Sequence, residues 1–238
     1  MFDVFDTLVH LEEDESRPEP FEVLARWLSY RGLHAAPDHL RELRSELIDL
    51  EFDRVGGEHP DIDIRRVYEQ LLARLDRSSG ADHALASEAA LIFRIAATTA
   101  LWPVEGMRAV LEELCTRVRL GIVSNTQRAY THWELLACDL AGFFEVIVFS
   151  SDVLACKPSP RPFEAALGAL RVGADEVVYV GDNPVDDVEG GHAVGIGTVL
   201  LDWEGRFGER AAPAVEPLAV VPVRSVAGLP DLLGSLGW

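Results

Sequence analysis

The spacing of apolar residues divides the chain in two. Between residues 21 and 96 they recur at intervals of three and four. Phe21, Val23, Leu24, Trp27 and Leu28 form one helical face. Leu40, Leu43, Leu47 and Leu50 form a second, with Pro37 suited to its first turn. Val67, Leu71, Leu72 and Leu75 make a third, and Leu85, Ala89, Ile92, Phe93 and Ala96 a fourth. Four helices with short polar connections, and no strand among them, predict a small bundle. After Trp102-Pro103 the texture changes. Short β-branched runs at 118–123, 146–149, 177–180, 198–201 and 219–223 alternate with helical stretches near 105–117, 128–140, 160–171, 185–194 and 227–236. Such alternation implies right-handed crossovers and a parallel sheet covered on both faces. The expected architecture is α/β: a doubly wound parallel sheet from residues 1–10 and 103–238, with a four-helix cap, residues 11–102, inserted after the first strand.

In open α/β sheets, ligands sit beyond the carboxyl ends of the strands. The polar residues at predicted strand ends are therefore the candidates for chemistry. They are Asp3 with Asp6 and Thr7, Ser124 with Asn125 and Thr126, Lys157 with Pro158, and Gly181-Asp182-Asn183 with Asp186 and Asp187. Four separate segments bring carboxylates, a hydroxyl and an ammonium to one edge.

These segments carry a family resemblance. Phe2-Asp3-Val4-Phe5-Asp6-Thr7-Leu8 resembles the first motif of the haloacid dehalogenase (HAD) superfamily. Ile122-Val123-Ser124-Asn125 resembles its second, Lys157-Pro158-Ser159-Pro160 its third, and Val180-Gly181-Asp182-Asn183-Pro184-Val185-Asp186-Asp187 its fourth. One short match is easily accidental, but all four in order span residues 2 to about 200. The resemblance implies a Rossmann-like core and a hydrolase with Asp3 as covalent nucleophile. It also implies Mg²⁺ held by Asp3, the carbonyl of Phe5 and Asp182, with Asp187 helping directly or through water. Lys157 would screen Asp3 from an incoming anion, and Ser124 would hydrogen-bond a phosphoryl oxygen. Thr7 and the amides after Asp3 would help hold its charge. The physics asks for these types, because a carboxylate attacking phosphorus meets an anion and needs neutralising charge.

Two features depart from the family pattern. Its phosphatases carry a general acid–base aspartate two residues after the nucleophile, and here that position is Phe5. Asp6 follows, and one step along an extended strand end would aim its side chain away from the site. Only two apolar-strand residues precede Asp3. Either this start is not the natural one or the central strand is unusually short. Branches lacking the second aspartate include the 2-haloacid dehalogenases and the phosphonate-cleaving enzymes. The latter need a cap lysine, which this cap lacks. The former work without metal, yet Asp182 would leave an uncompensated carboxylate beside Asp3. Asn125 and a cap arginine such as Arg26 or Arg31 would still suit a halocarboxylate. Three readings therefore stand: a Mg²⁺-dependent phosphomonoesterase acting on a small phosphorylated metabolite, a 2-haloacid dehalogenase, and a catalytically silent binding protein.

Composition narrows the setting. With 48% hydrophobic residues the chain can bury a real core, and no apolar run reaches the length of a membrane span. A formal charge of −19 argues against nucleic acid and anionic membranes as partners. Cys115, Cys138 and Cys156 lie far apart, as core thiols in a reducing compartment would. The expectation is a cytoplasmic protein, monomer or homodimer. Of 21 basic residues only Lys157 is lysine, which marks a place where a compact ammonium is needed and a planar guanidinium will not serve. His10, His132 and His192 read as structural, and Asp186 as a solvated or capping residue.

Overall fold

The computed structural model describes residues 1–76, 83–203, 214–223 and 226–237. The opening residues 1–3 run straight into the sheet and a tight turn, and then β1 (Val9–Glu13) leaves it. Four helices follow: α1 (Pro18–Ser29), α2 (Pro37–Val55), α3 (Ile64–Leu75) and α4 (His83–Ala97). The chain returns through β2 (Thr98–Pro103) and α5 (Met107–Leu114). Then come β3 (Gly121–Ser124), α6 (Arg128–Ala137), β4 (Val146–Phe149), α7 (Ser150–Val153) and α8 (Pro160–Leu170). The last part holds β5 (Val178–Gly181), a π-turn (Pro184–Glu189), α9 (Gly190–Ala193), β6 (Gly197–Trp203), β7 (Ala219–Val223) and α10 (Leu229–Ser235).

The fold is α/β, and its sheet is parallel throughout. β3 pairs with β4, and β5 with β6 and β6 with β7. Phe2 bridges the two groups, pairing in parallel with Ile122 on one side and Val180 on the other. The Phe2 amide donates to the Gly121 carbonyl at 2.9 Å, and the Val123 amide to the Phe2 carbonyl at 3.0 Å. Opposite, the Asp3 and Val180 amides donate to Val180 and Met1 carbonyls, both at 2.9 Å. The strand order is thus β4-β3-(residues 1–3)-β5-β6-β7, the doubly wound order in which the crevice opens beside the first strand. The neighbours of residues 1–3 alternate: Ile122 and Val180 enter one buried cluster with Leu111, Leu135 and Leu229, while Val123 and Tyr179 enter another with Phe163 and Leu170.

The four helices share their own core, with Phe21, Leu24, Leu28, Leu40, Leu43, Leu47, Val67, Leu71 and Phe93 buried together. Pro37 sits in the first turn of α2, as expected. Leu50 does not follow its helical face inward and is exposed. Among the described residues no strand lies between the four helices, as expected, but a strand pair that the periodicity did not predict flanks them. β1 and β2 pair antiparallel from Val9–Pro103 to Glu13–Thr98, across both edges of the helical insertion. Such a ladder joins segments far apart in sequence, so no local turn signal announces it. The predicted helix near 185–194 is also divided. Pro184 opens a π-turn whose first amides, of Val185 and Asp186, are capped by the Asn183 side chain. Among the described residues no helix is long and apolar enough to cross a membrane.

Candidate active site

Asp3 is the first residue past the bridge made by Phe2, so its backbone is fixed on the β5 side while its side chain emerges at the carboxyl edge. The chain then turns at once. The amides of Leu8 and Val9 both donate to the Val4 carbonyl, at 2.7 and 3.0 Å. Asp6 takes up a left-handed backbone (φ 55°), a conformation that aspartate tolerates better than most residues. The extended geometry expected there is therefore wrong, and Asp6 is not aimed away. It lines a pocket of about 200 Å³ with Asp3, Phe5, Ser124, Asn125, Lys157, Asp182, Asn183 and Asp186. His10 is not isolated either: its Nδ1 lies 3.0 Å from Asp6 Oδ1, and its ring packs against Trp102 and Trp203.

Lys157 is held from both ends. The Asn125 side chain accepts from its amide at 2.6 Å and donates to its carbonyl at 3.0 Å, fixing the loop that carries it. Its ammonium lies 2.9 Å from Asp3 Oδ1 and donates to Asp187 Oδ1 at 2.6 Å and to the Tyr179 hydroxyl at 2.7 Å. Burial disfavours that charge, yet the adjoining carboxylates of Asp187 and Asp3 outweigh burial and raise the lysine pKa. Tyr179 in turn donates to the Val123 carbonyl at 2.6 Å, tying β5 to β3 behind Asp3.

Asp187 lies fully beneath the pocket, where burial, opposed by the Lys157 ammonium and reinforced by Asp3, pushes its pKa up to about 6. Its other oxygen accepts from the Asn183 amide at 2.8 Å. The wide π-turn folds this carboxylate back over Gly181, where an added Cβ would come within 2.2 Å of Asp187 Oδ2. Gly181→Ala should therefore lower stability by about 1–3 kcal/mol, the usual cost of overpacking, as a urea melt would show. An unchanged melt would mean that Asp187 is not held there.

Asp3, Asp182 and Asp187 each place an oxygen within 4.8 Å of the others. Three carboxylates so close face one ammonium. Burial also raises the pKa of Asp186, with Lys157 opposing it. Hard oxygen donors grouped this closely fit a small divalent cation such as Mg²⁺.

Of the residues expected from the sequence, Asp3, Phe5, Ser124, Asn125, Lys157 and Asp182 line the pocket, and Asp187 supports it from below. Asn125 is engaged with the Lys157 backbone, so its part is to position the loop. Thr7 is fully buried outside the lining, and nothing in the structure explains its unpartnered hydroxyl. Arg31 pairs with Glu88 at 2.6 Å and stacks over Trp27, and neither it nor Arg26 lines the pocket. Cys115 is exposed and so is not a core thiol. Asp186, read as solvated, is half-buried in the pocket and accepts from the Asn183 side chain at 3.1 Å. Tyr179 was hidden in an apolar strand, although a buried tyrosine normally needs a hydroxyl partner. The turn between α2 and α3 also reaches the core: Pro60 pairs with Ala155, and the Cys156 amide donates to the His59 carbonyl.

Residues 64–201 match the model of the haloacid dehalogenase-like hydrolase family. The human N-acylneuraminate-9-phosphatase is 26% identical over 175 residues, 73% of this chain and 69% of that enzyme. Pyrophosphatase PpaX of Halalkalibacterium halodurans is 34% identical over 133 residues, 56% of this chain and 60% of that one. Among solved structures, a 2-haloacid dehalogenase from Pseudomonas syringae superposes with a TM-score of 0.67 at 25% identity, over 99% of this chain and 97% of that one.

Proposed function

Because this chain belongs to the haloacid dehalogenase-like hydrolases, we propose that it hydrolyses phosphomonoesters of a small metabolite, with Asp3 as covalent nucleophile and Mg²⁺ as cofactor. The observation that carries this reading is the carboxylate cluster: Asp3, Asp182 and Asp187 each place an oxygen within 4.8 Å of the others, beside the Lys157 ammonium that pairs with Asp3 and Asp187. A carboxylate nucleophile and an anionic substrate repel each other, so their approach needs positive charge at this cluster. Mg²⁺ bound by Asp3, Asp182 and the Phe5 carbonyl, with Asp187 behind, would supply that charge.

The chain's own groups do the rest. Asp3 attacks phosphorus and the substrate oxygen departs with the bonding pair. Water then attacks the aspartyl phosphate and releases inorganic phosphate. Lys157 holds the Asp3 carboxylate in its attacking orientation and screens it from the phosphoryl oxygens. Ser124 faces the same space and would donate to one of those oxygens. The two phosphatase relatives support this reading. A cytoplasmic monomer or homodimer suits it.

A second reading, 2-haloacid dehalogenation, draws on the full-length likeness to the Pseudomonas syringae structure and on the apolar Phe5 in the pocket. There Asp3 would attack the halogen-bearing carbon and halide would leave. The absence of arginine from the pocket lining, among the described residues, weighs against a carboxylate subsite of that kind. Phosphate and halide release measured side by side separate the two. The expected result is phosphate release that EDTA suppresses and Mg²⁺ restores. Halide release that persists in EDTA would establish the second reading.

A further inference from the structure

A second cavity, of about 350 Å³, lies where α4 meets α6 and β2, and it shares no residue with the pocket around Asp3. Its size falls within the range of small-molecule sites. Leu91, Ile95, Leu101 and Trp133 supply apolar walls, and Ile95 and Trp133 stand exposed at 61% and 54% although both are large and apolar. Arg94 and Glu134 supply its polar end.

That end is incompletely satisfied. Arg94 is buried, donates from Nε to Glu134 Oε1 at 2.6 Å and pairs also with Glu13. One guanidinium thus faces two carboxylates. Glu134 is 7% exposed, and its second oxygen, Oε2, is buried with no hydrogen-bond partner. Buried acceptors are nearly always paired, and an unpaired carboxylate oxygen is costly. The missing partner is a donor, and the local charge calls for a positive one.

We infer that this cavity is a binding site for a small primary amine with an aromatic or branched apolar body. Glu134 Oε2 is covered by the protein's own atoms, so the ammonium would reach it on a turn of the carboxylate toward the cavity and neutralise the surplus charge there, while the body covers Ile95 and Trp133. A carboxylate of the same shape would meet the unpaired oxygen with like charge and be refused. The inference is independent of the chemistry at Asp3.

Calorimetric titration of the full chain with 2-phenylethylamine, and with 3-phenylpropanoate as its mirror in charge, tests this. Saturable binding of the amine, one per chain, with no binding of the acid, is expected. Glu134→Gln should weaken the amine by about tenfold or more, the cost of losing a charged hydrogen bond. Because that change also touches Arg94, Ile95→Arg provides a second test. It places a cation at the exposed rim, should leave the melting temperature unchanged, and should weaken the amine by a similar factor. Failure of the amine to bind at millimolar concentration, equal binding of the acid, or an unaffected Ile95→Arg variant would overturn the inference. So would concentration-dependent dimerisation that Ile95→Arg abolishes, since a second copy would then be the occupant.

Discussion

Phe5→Asp should raise turnover of alkyl phosphates, by a factor on the order of 10²–10⁴, the usual contribution of a general acid–base group. Phe5 lines the pocket beside Asp3, so a carboxyl at this position would reach the space where the leaving oxygen departs. The wild-type side chain neither protonates an alkoxide nor activates water. Aryl phosphates, whose leaving groups need little protonation, should accordingly be hydrolysed far better than alkyl ones. Phosphorylated Asp3 should accumulate, because the second step lacks its base, and Phe5→Asp should shorten its lifetime. Quench-flow trapping of the phosphoenzyme together with steady-state rates on both substrate classes would measure this. Rapid wild-type turnover of an alkyl phosphate, only damaged by Phe5→Asp, would sink it. Asp6, which shares the pocket and pairs with His10, would then be the proton source.

Lys157→Arg should lose roughly 10²–10³ in turnover, nearly as much as Lys157→Ala, although it keeps the charge. The slot explains why. Three acceptors surround one ammonium: Asp3 Oδ1 at 2.9 Å, Asp187 Oδ1 at 2.6 Å and the Tyr179 hydroxyl at 2.7 Å. Lysine offers three donors on one compact atom, whereas the arginine fork is planar and broader. The backbone cannot retreat to make room, because Asn125 holds it on both sides. Circular dichroism would separate loss of fold from loss of chemistry. An arginine variant with full activity would show that bulk charge suffices and that the geometry of the slot is irrelevant.

Much of this was legible in the sequence, for identifiable reasons. The helical faces and the β-branched runs are local patterns, and the positions they assign to the core are mostly buried. The four polar clusters were found because strand ends in such a sheet converge on one edge. The scarcity of lysine pointed to a residue that proves to be buried among acceptors. What escaped notice depends on contacts between distant segments. The β1–β2 ribbon joins residues about ninety positions apart, and periodicity over five residues cannot report it. A single left-handed residue, Asp6, breaks the alternation from which side-chain direction follows along an extended strand. Asp186 reads from the sequence as a solvated or capping residue, yet the π-turn places it in the pocket lining while Asp187 pairs with Lys157.

The central position of the segment that carries Asp3 has a consequence for how the molecule assembles. One half-sheet, β3–β4, and the other, β5–β7, lie on either side of the segment that carries Asp3, which pairs with Gly121 and Val123 on one side and with Val180 on the other. Contacts of such long range form slowly, since chain entropy must be surrendered before they repay it. Either half-sheet can be covered by its helices while Asp3 is still unplaced. During refolding, recovery of catalytic competence should therefore lag behind recovery of helical content.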